Sequence, residues 1–205
     1  MSFVDKLKNK LESKVLLEEI ATPAYIITQP VTLPVYELDL KGLVDADSIK
    51  EKCLNKHTGT NHKPAIVQNG WQSPYYFTGS NEFEIFSELI KVIEDKLSLI
   101  TSIQKSNTKY KISQFWFVIY GKGTYHNWHC HRGKLGNFAG YSGVYYPVAS
   151  DKAEPIEFKN NDSTISINVK KDKLLIFPSV LMHRVPECTD SELRIAVSFN
   201  FQILN

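Results

Sequence analysis

The stretch Tyr110–His131 reads YKISQFWFVIYGKGTYHNWHCH, and at its start the chain changes from helical to β patterning. Its first half, Tyr110–Tyr120, is dense in aromatic and β-branched residues, the composition of a strand. Gly121-Lys122-Gly123 is a turn signal, and Tyr125–His131 reads as the next strand. Side chains alternate faces along a strand, so His129 and His131 share one face while Trp128 and Cys130 share the other. On an unbroken strand, His126 falls with Trp128, away from the histidine pair.

Downstream, further strands are expected at Gly140–Val148, Ile156–Phe158, Ser163–Val169, Lys173–Phe177, Met182–Val185 and Leu193–Ile203. Turn-formers separate them at Asn160-Asn161-Asp162 and Lys171-Asp172. Upstream the pattern is helical. Phe3, Leu7, Leu11, Val15 and Leu16 make one face of an amphipathic helix over residues 3–20, read as packing on the domain or on a second copy in a homodimer. Pro-punctuated chain from Thr22 to Pro34 leads to strand-like Val35–Leu40. Asp47–His57 reads as a helix with Gly59 as its C-cap. The strongest helix spans Glu82–Ile103, with a capping-box start at Asn81 and Glu84 and an apolar stripe of Phe86, Leu89, Ile90, Ile93, Leu97 and Ile100. Many short strands behind a long helix predict a mainly β fold with supporting helices, an antiparallel barrel or sandwich.

Composition bounds the function. A length of 205 residues fits one domain, with residues 1–65 as a helix and connecting segments and 66–205 as the core. Apolar residues at 42% and charged residues at 22% are those of a soluble globular protein. No apolar run approaches the roughly 18 residues of a membrane span, and Met1–Lys6 runs into charge without the apolar centre of a secretory leader. A net charge of +2 from 24 basic and 22 acidic residues indicates neither nucleic acid nor membrane as partner. Cys53, Cys130 and Cys188 are odd in number and widely spaced, which predicts reduced thiols and a cytoplasmic location.

The chemistry gathers in the C-terminal third. His129 and His131 are joined by His183, which follows the buried-strand pattern Leu174-Leu175-Ile176-Phe177-Pro178. A lone His-x-His is more often a solvated pair than a ligand pair. A distant histidine and an arginine eleven residues beyond it, all on expected strands, make the set far more specific. Within Arg194–Asn200, alternation puts Arg194, Ala196, Ser198 and Asn200 on one face and Ile195, Val197 and Phe199 on the other. A small, polar face carrying arginine suits a cavity for a carboxylate, which its planar fork binds bidentately; a surface salt bridge is the ordinary alternative. Cys130 points away from the histidines, so a closed structural zinc site is not expected. His57 and His62 flank Gly59 in a loop and are read as exposed. No nucleophile elbow, P-loop or dinucleotide fingerprint is present.

From roughly Ile66 onward the chain resembles the 2-oxoglutarate- and Fe(II)-dependent oxygenases, closest to the prolyl-hydroxylase-like branch and its relatives in bacteria and phages. The resemblance is carried by Gly70-Trp71-Gln72-Ser73, by His129-Cys130-His131 leading to Ser142-Gly143-Val144-Tyr145-Tyr146, by Leu174–Val185 and by Arg194–Asn200. It implies a double-stranded β-helix, or jelly roll. His129 and His183 match the iron ligands, and His131 stands where the usual middle ligand is a carboxylate. Arg194, Tyr120 and Tyr146 match residues that bind 2-oxoglutarate, and Ser198 joins them on the Arg194 face. Of Tyr145 and Tyr146, which point opposite ways, only one can be inward. Trp71, Gln72 and Ser73 line an access channel if the resemblance extends to them; a core contact explains Trp71 equally well. The implied reaction takes 2-oxoglutarate and O2, yields succinate and CO2, and hydroxylates a C–H bond of a peptidyl or small-molecule substrate. Two rivals are a cupin-like three-histidine metalloenzyme, which leaves Arg194 without a task, and a non-catalytic jelly-roll binding protein.

Overall fold

Alternate residues of one strand face two different cores in the computed structural model, which describes residues 24–28, 31–57, 66–131, 140–160 and 163–204. The helix expected over residues 3–20, Gly59, His62 and the centre of the turn at residues 160–162 lie outside the described residues. In chain order the strands are β1 (Ala24–Thr28), β2 (Val31–Asp39), β3 (Val67–Gln68), β4 (Trp71–Gln72), β5 (Tyr76–Phe77), β6 (Lys109–Tyr120) and β7 (Tyr125–His129). They continue as β8 (Tyr141–Val148), β9 (Ile156–Asn160), β10 (Ser163–Ile167), β11 (Lys173–Pro178), β12 (His183–Val185) and β13 (Arg194–Leu204).

Among the described residues these strands build two antiparallel sheets. The larger runs β1-β2-β11-β8-β13-β6-β4, with β5 also on β6; the smaller runs β10-β9-β12-β7-β3. Phe115 and Phe117 of β6, Ile195, Val197 and Phe199 of β13, and Leu174 and Ile176 of β11 join the core under the helices. Their neighbours Trp116, Val118, Tyr120, Ala196, Leu175 and Phe177 join the core between the sheets. The larger sheet is thus buried on both faces, by helices on one side and by the smaller sheet on the other. This is the mainly β architecture with supporting helices that the sequence pattern predicts, and the jelly roll that the resemblance implies.

The helix Ser87–Ile103 lays Leu89, Ile90, Ile93, Leu97 and Ile100 on the large sheet, each at most 7% exposed. Burial at that level contributes roughly 1.5–3 kcal/mol per side chain. The continuous helix expected over Glu82–Ile103 is broken at Phe86, which leaves the helical region at φ −101°, ψ 12°. The break lets Phe83 and Phe86 both meet Phe115, with ring centroids 5.9 and 4.9 Å away. Its true N-cap is Ser80, whose hydroxyl accepts from Phe83 N at 3.2 Å, rather than Asn81. The helix expected from Asp47 runs Ala46–Lys56, capped by the Asp45 carboxylate on Ser48 N.

Where β8, β11 and β13 pack side by side, Gly143 has no room for a side chain. A Cβ there would lie 2.5 Å from the Leu175 carbonyl and 2.6 Å from the Phe199 ring. The carbonyl belongs to the β8–β11 ladder and cannot rotate aside. Gly143→Ala is therefore expected to lower unfolding free energy by about 1–3 kcal/mol, the range for overpacking. Urea denaturation followed by circular dichroism measures it, and an unchanged midpoint would contradict the close approach.

Candidate metal centre

The smaller sheet carries the histidines. Phe177-Pro178 ends β11, a turn closes with Leu181 N donating to Pro178 O at 3.0 Å, and the chain re-enters as the short strand β12. There His183 lies opposite His129 of β7 on one side and Phe158 of β9 on the other. β7 stops at His129, two residues before its expected end, yet His131 stays in place because its N–H donates to Ser179 O at 2.9 Å. His129, His131 and His183 each offer one ring nitrogen, and these atoms all lie within 4.8 Å of one another. Their ring centroids are separated by 4.2 Å (His129–His183), 5.1 Å (His131–His183) and 5.4 Å (His129–His131).

Hydrogen bonds identify the free nitrogen of each ring. His129 Nδ1 lies 2.7 Å from the Asn127 carbonyl and His183 Nδ1 lies 2.9 Å from the Leu181 carbonyl. A carbonyl only accepts, so both Nδ1 atoms carry hydrogen and Nε2 keeps its lone pair. His131 Nδ1 lies 2.7 Å from Asn200 Oδ1 and 2.9 Å from Ser142 Oγ. Burial holds all three imidazoles below the usual histidine range; His131 is pushed down to about 4 and His183 lies well below. Neutral imidazoles with fixed second nitrogens are the form that ligates a metal.

The three rings open into a cavity of ≈ 460 Å³, counting its mouth, between the two sheets. Tyr120, Tyr146, Ala196 and Ser198 line one part of it; Trp116, Val144, Ile156, Phe177 and Val185 supply apolar wall. Tyr146 is the inward member of its pair, while Tyr145 packs in the helix-side core with its hydroxyl on Asp172. Arg194, 3% exposed, sits behind the tyrosines, its guanidinium carbon 4.7 Å from the Tyr120 ring centre and 5.1 Å from that of Tyr146. Its Nη1 donates to the Glu154 carbonyl at 2.7 Å and its Nη2 reaches the Tyr146 hydroxyl at 3.5 Å. Nε is buried without a partner, and none of the ion pairs among the described residues includes Arg194. On its far side Arg194 borders a smaller recess with Cys188, Glu154 and Asp190. Arg194 does not itself line the histidine cavity; Tyr120, which borders both hollows, and Tyr146 stand against it on that side.

One residue of the cavity was hidden from the sequence. His126 was expected on the Trp128 face, but it lines the cavity, with its ring centroid 5.7 Å from that of His129. The reason is a register shift: His183 pairs with His129, while Val185 pairs with His126. Three steps along β7 therefore match two along β12, which reverses the alternation between the histidines. Burial pushes His126 down to about 3, and its Nδ1 is bonded to the Tyr120 hydroxyl. Ser142, Ser179 and Asn200 around His131 were likewise not singled out as site residues; only the face shared by Arg194 and Asn200 pointed towards them. Trp71 packs on Phe117 and His57 on the helix side, so it is a core contact and does not line the histidine cavity. Trp128 lies between Lys159 and Arg184, 5.1 and 4.9 Å from its ring centre. Cys130 is a free thiol outside the histidine group.

Residues 150–200, which include His183, Arg194, Ser198 and Asn200, match the family described as "Putative 2OG-Fe(II) oxygenase". No curated protein sequence matches the chain. Among solved structures, a prolyl-4-hydroxylase of Pseudomonas putida superposes with a TM-score of 0.62 at 13% identity, covering 83% of this chain and 93% of that one. A prolyl hydroxylase of Trichoplax adhaerens, solved with a hypoxia-inducible-factor peptide fragment, superposes with a TM-score of 0.63 at 14% identity, covering 98% and 94%. The viral collagen prolyl hydroxylase of Paramecium Bursaria Chlorella virus-1, solved with 2-oxoglutarate, gives 0.57 at 15% identity, covering 82% and 94%. At these identities the likeness establishes the architecture. The chain has the jelly-roll fold of the 2-oxoglutarate–Fe(II) oxygenases, and its segment 150–200 matches a family of that description.

Proposed function

We propose that this protein is a 2-oxoglutarate- and Fe(II)-dependent oxygenase acting on a C–H bond of a peptidyl or small-molecule substrate. The observation that carries the reading is the meeting of three neutral histidines at one end of a cavity whose other end is backed by a buried, ion-pair-free arginine. His129, His131 and His183 hold the iron through Nε2. Arg194 receives the distal carboxylate of 2-oxoglutarate, with Tyr146, Tyr120 and Ser198 beside it. The donor set fits both groups. Nitrogen-only ligands suit Fe(II), and a buried guanidinium with an unpartnered Nε, set against the Tyr120 and Tyr146 rings of the cavity wall, suits a carboxylate. When bound, Fe(II) and 2-oxoglutarate supply oxygen activation coupled to oxidative decarboxylation, with succinate and CO2 as products.

The chain's own residues do the rest. Burial keeps the Tyr120 and Tyr146 phenols protonated, so their hydroxyls are donors. The apolar wall from Trp116 to Val185 excludes water and strengthens each polar contact inside. Among the described residues no Asp or Glu lines the cavity, so the three-histidine site holds its metal with one negative charge fewer than a carboxylate-containing triad. A three-histidine enzyme that does not use the oxo-acid would leave the cost of burying Arg194 unanswered, which favours the oxygenase reading.

Anaerobic titration with Fe(II) checks the metal site. Wild type is expected to bind stoichiometrically and to gain thermal stability, since a ligand that binds only the folded state raises its melting point. His129→Ala and His183→Ala are expected to lose both effects; full iron binding by either would remove that residue from the site. Calorimetric titration of 2-oxoglutarate into the iron-loaded protein checks Arg194. Leaving a buried anion unpaired costs about 3–5 kcal/mol, roughly two to four decades in affinity, and Arg194→Ala is expected to lose that much with iron binding intact. Arg194→Lys, which keeps the charge without the fork, should fall between. Equal affinities in wild type and Arg194→Ala would defeat the assignment, and no 2-oxoglutarate binding by iron-loaded wild type would defeat the function.

A further inference from the structure

His129 and His183 rest their Nδ1 atoms on main-chain carbonyls, which a substitution elsewhere in the chain does not remove. His131 is held by side chains. Its Nδ1 meets Asn200 Oδ1 and Ser142 Oγ, and behind them Ser179 Oγ lies 2.8 Å from Ser142 Oγ. Ser142, Ser179 and Asn200 are at most 8% exposed, so this small network is closed off from bulk water.

Counting hydrogens fixes the ring. The Ser142 hydroxyl donates to Asn200 Oδ1 at 2.7 Å, which commits its one hydrogen. Ser179, with its own hydroxyl hydrogen available, then donates to Ser142. An amide oxygen has two lone pairs and no hydrogen. One lone pair takes Ser142, and the other takes His131, so His131 Nδ1 must be the donor. Its Nε2 is left bare and faces the other two histidines. If the amide were turned over, its NH2 would donate to Nδ1 and the ring hydrogen would move to Nε2, where it would block a metal.

The backbone is arranged for this contact. Asn200 and Ser142 are direct cross-strand partners on β13 and β8. Immediately after Asn200 the pairing of β13 with β6 slips, from Asn200 opposite Gln114 to Phe201 opposite Ile112. The skipped residue, Ser113, donates its hydroxyl to the Asn200 carbonyl at 3.2 Å. The bulge ends the regular ladder at the point where the Asn200 side chain must meet His131.

We propose that Asn200, pinned by Ser142 and Ser179, is the positioning residue that makes His131 a metal ligand by holding it as the Nδ1–H tautomer. The proposal rests on the metal-site reading above, and the test separates the two. Co(II) serves as probe, with affinity read by calorimetry and coordination read from its visible d–d absorption. Removing a partner of this kind typically costs about 10–100-fold in metal affinity. Asn200→Leu is expected to lose that much and to change the d–d band towards that of His131→Ala. Asn200→Asp, whose carboxylate also only accepts, is expected to restore both affinity and band. Failure of wild type to bind Co(II) would defeat the metal reading itself. Binding by wild type together with equal affinity and an unchanged band in Asn200→Leu would overturn only the role of Asn200, as would failure of Asn200→Asp to rescue. Should Asn200→Leu fail to fold by circular dichroism, Ser142→Ala decides: weakened binding with an altered band supports the proposal, and wild-type binding overturns it.

Discussion

The antiparallel pairing that sets His183 opposite His129 is the contact on which the site depends. β12 has three residues, too few to be stable alone, and it is held by β7 on one side and β9 on the other. A slip of one residue would turn His183 out of the cavity and bring Met182 or Arg184 in. The turn from Pro178 to Leu181 and the bond from His131 N to Ser179 O guard against that slip. The same short loop therefore sets the register of one histidine and anchors another.

Around this pairing the jelly roll separates two demands. The helix-side core, with the helix Ser87–Ile103 on the large sheet, is apolar and tightly packed, and it provides the rigidity. The core between the sheets carries the polar chemistry at one end, with histidines, tyrosines and arginine set among Trp116, Phe158 and Phe177. Strand alternation allows both, since each strand of the large sheet sends successive residues to opposite cores. In β13, Ile195, Val197 and Phe199 stabilise the fold while Ala196, Ser198 and Asn200 shape the site.

Two electrostatic costs are built into this arrangement. Burying Arg194 without an ion pair is unfavourable, and the structure offsets it only in part, through two tyrosine faces and the Glu154 carbonyl. Gathering buried histidines is also unfavourable if any of them is charged, and burial accordingly keeps them neutral. Under the proposed function both costs would fall, with a cation among the imidazoles and a carboxylate on the arginine.

Much of this was legible before any coordinates. The strand composition of Tyr110–Tyr120, the alternation in Arg194–Asn200, the turn at Gly121-Lys122-Gly123 and the stripe from Leu89 to Ile100 are local patterns, and they placed the strands, the long helix and the inward face of Arg194. What the patterns could not carry was pairing between distant segments. The break at Phe86 exists because two rings converge on Phe115, a residue of another element. His126 enters the cavity because β7 bulges against β12, and a bulge is a property of two strands rather than of one. Likewise, His-x-His and a distant histidine picked out three residues that the fold brings together, but the hydrogen on each ring is decided by acceptors from elsewhere in the fold: Asn127, Leu181 and Asn200. Periodicity is written within each strand, so the sequence by itself determined the facing of residues on unbroken strands, as in Ala196 and Ser198, but not that of His126. Register and hydrogen-bond partners arise only when strands meet, and so the tertiary structure alone decided which nitrogen each histidine presents there.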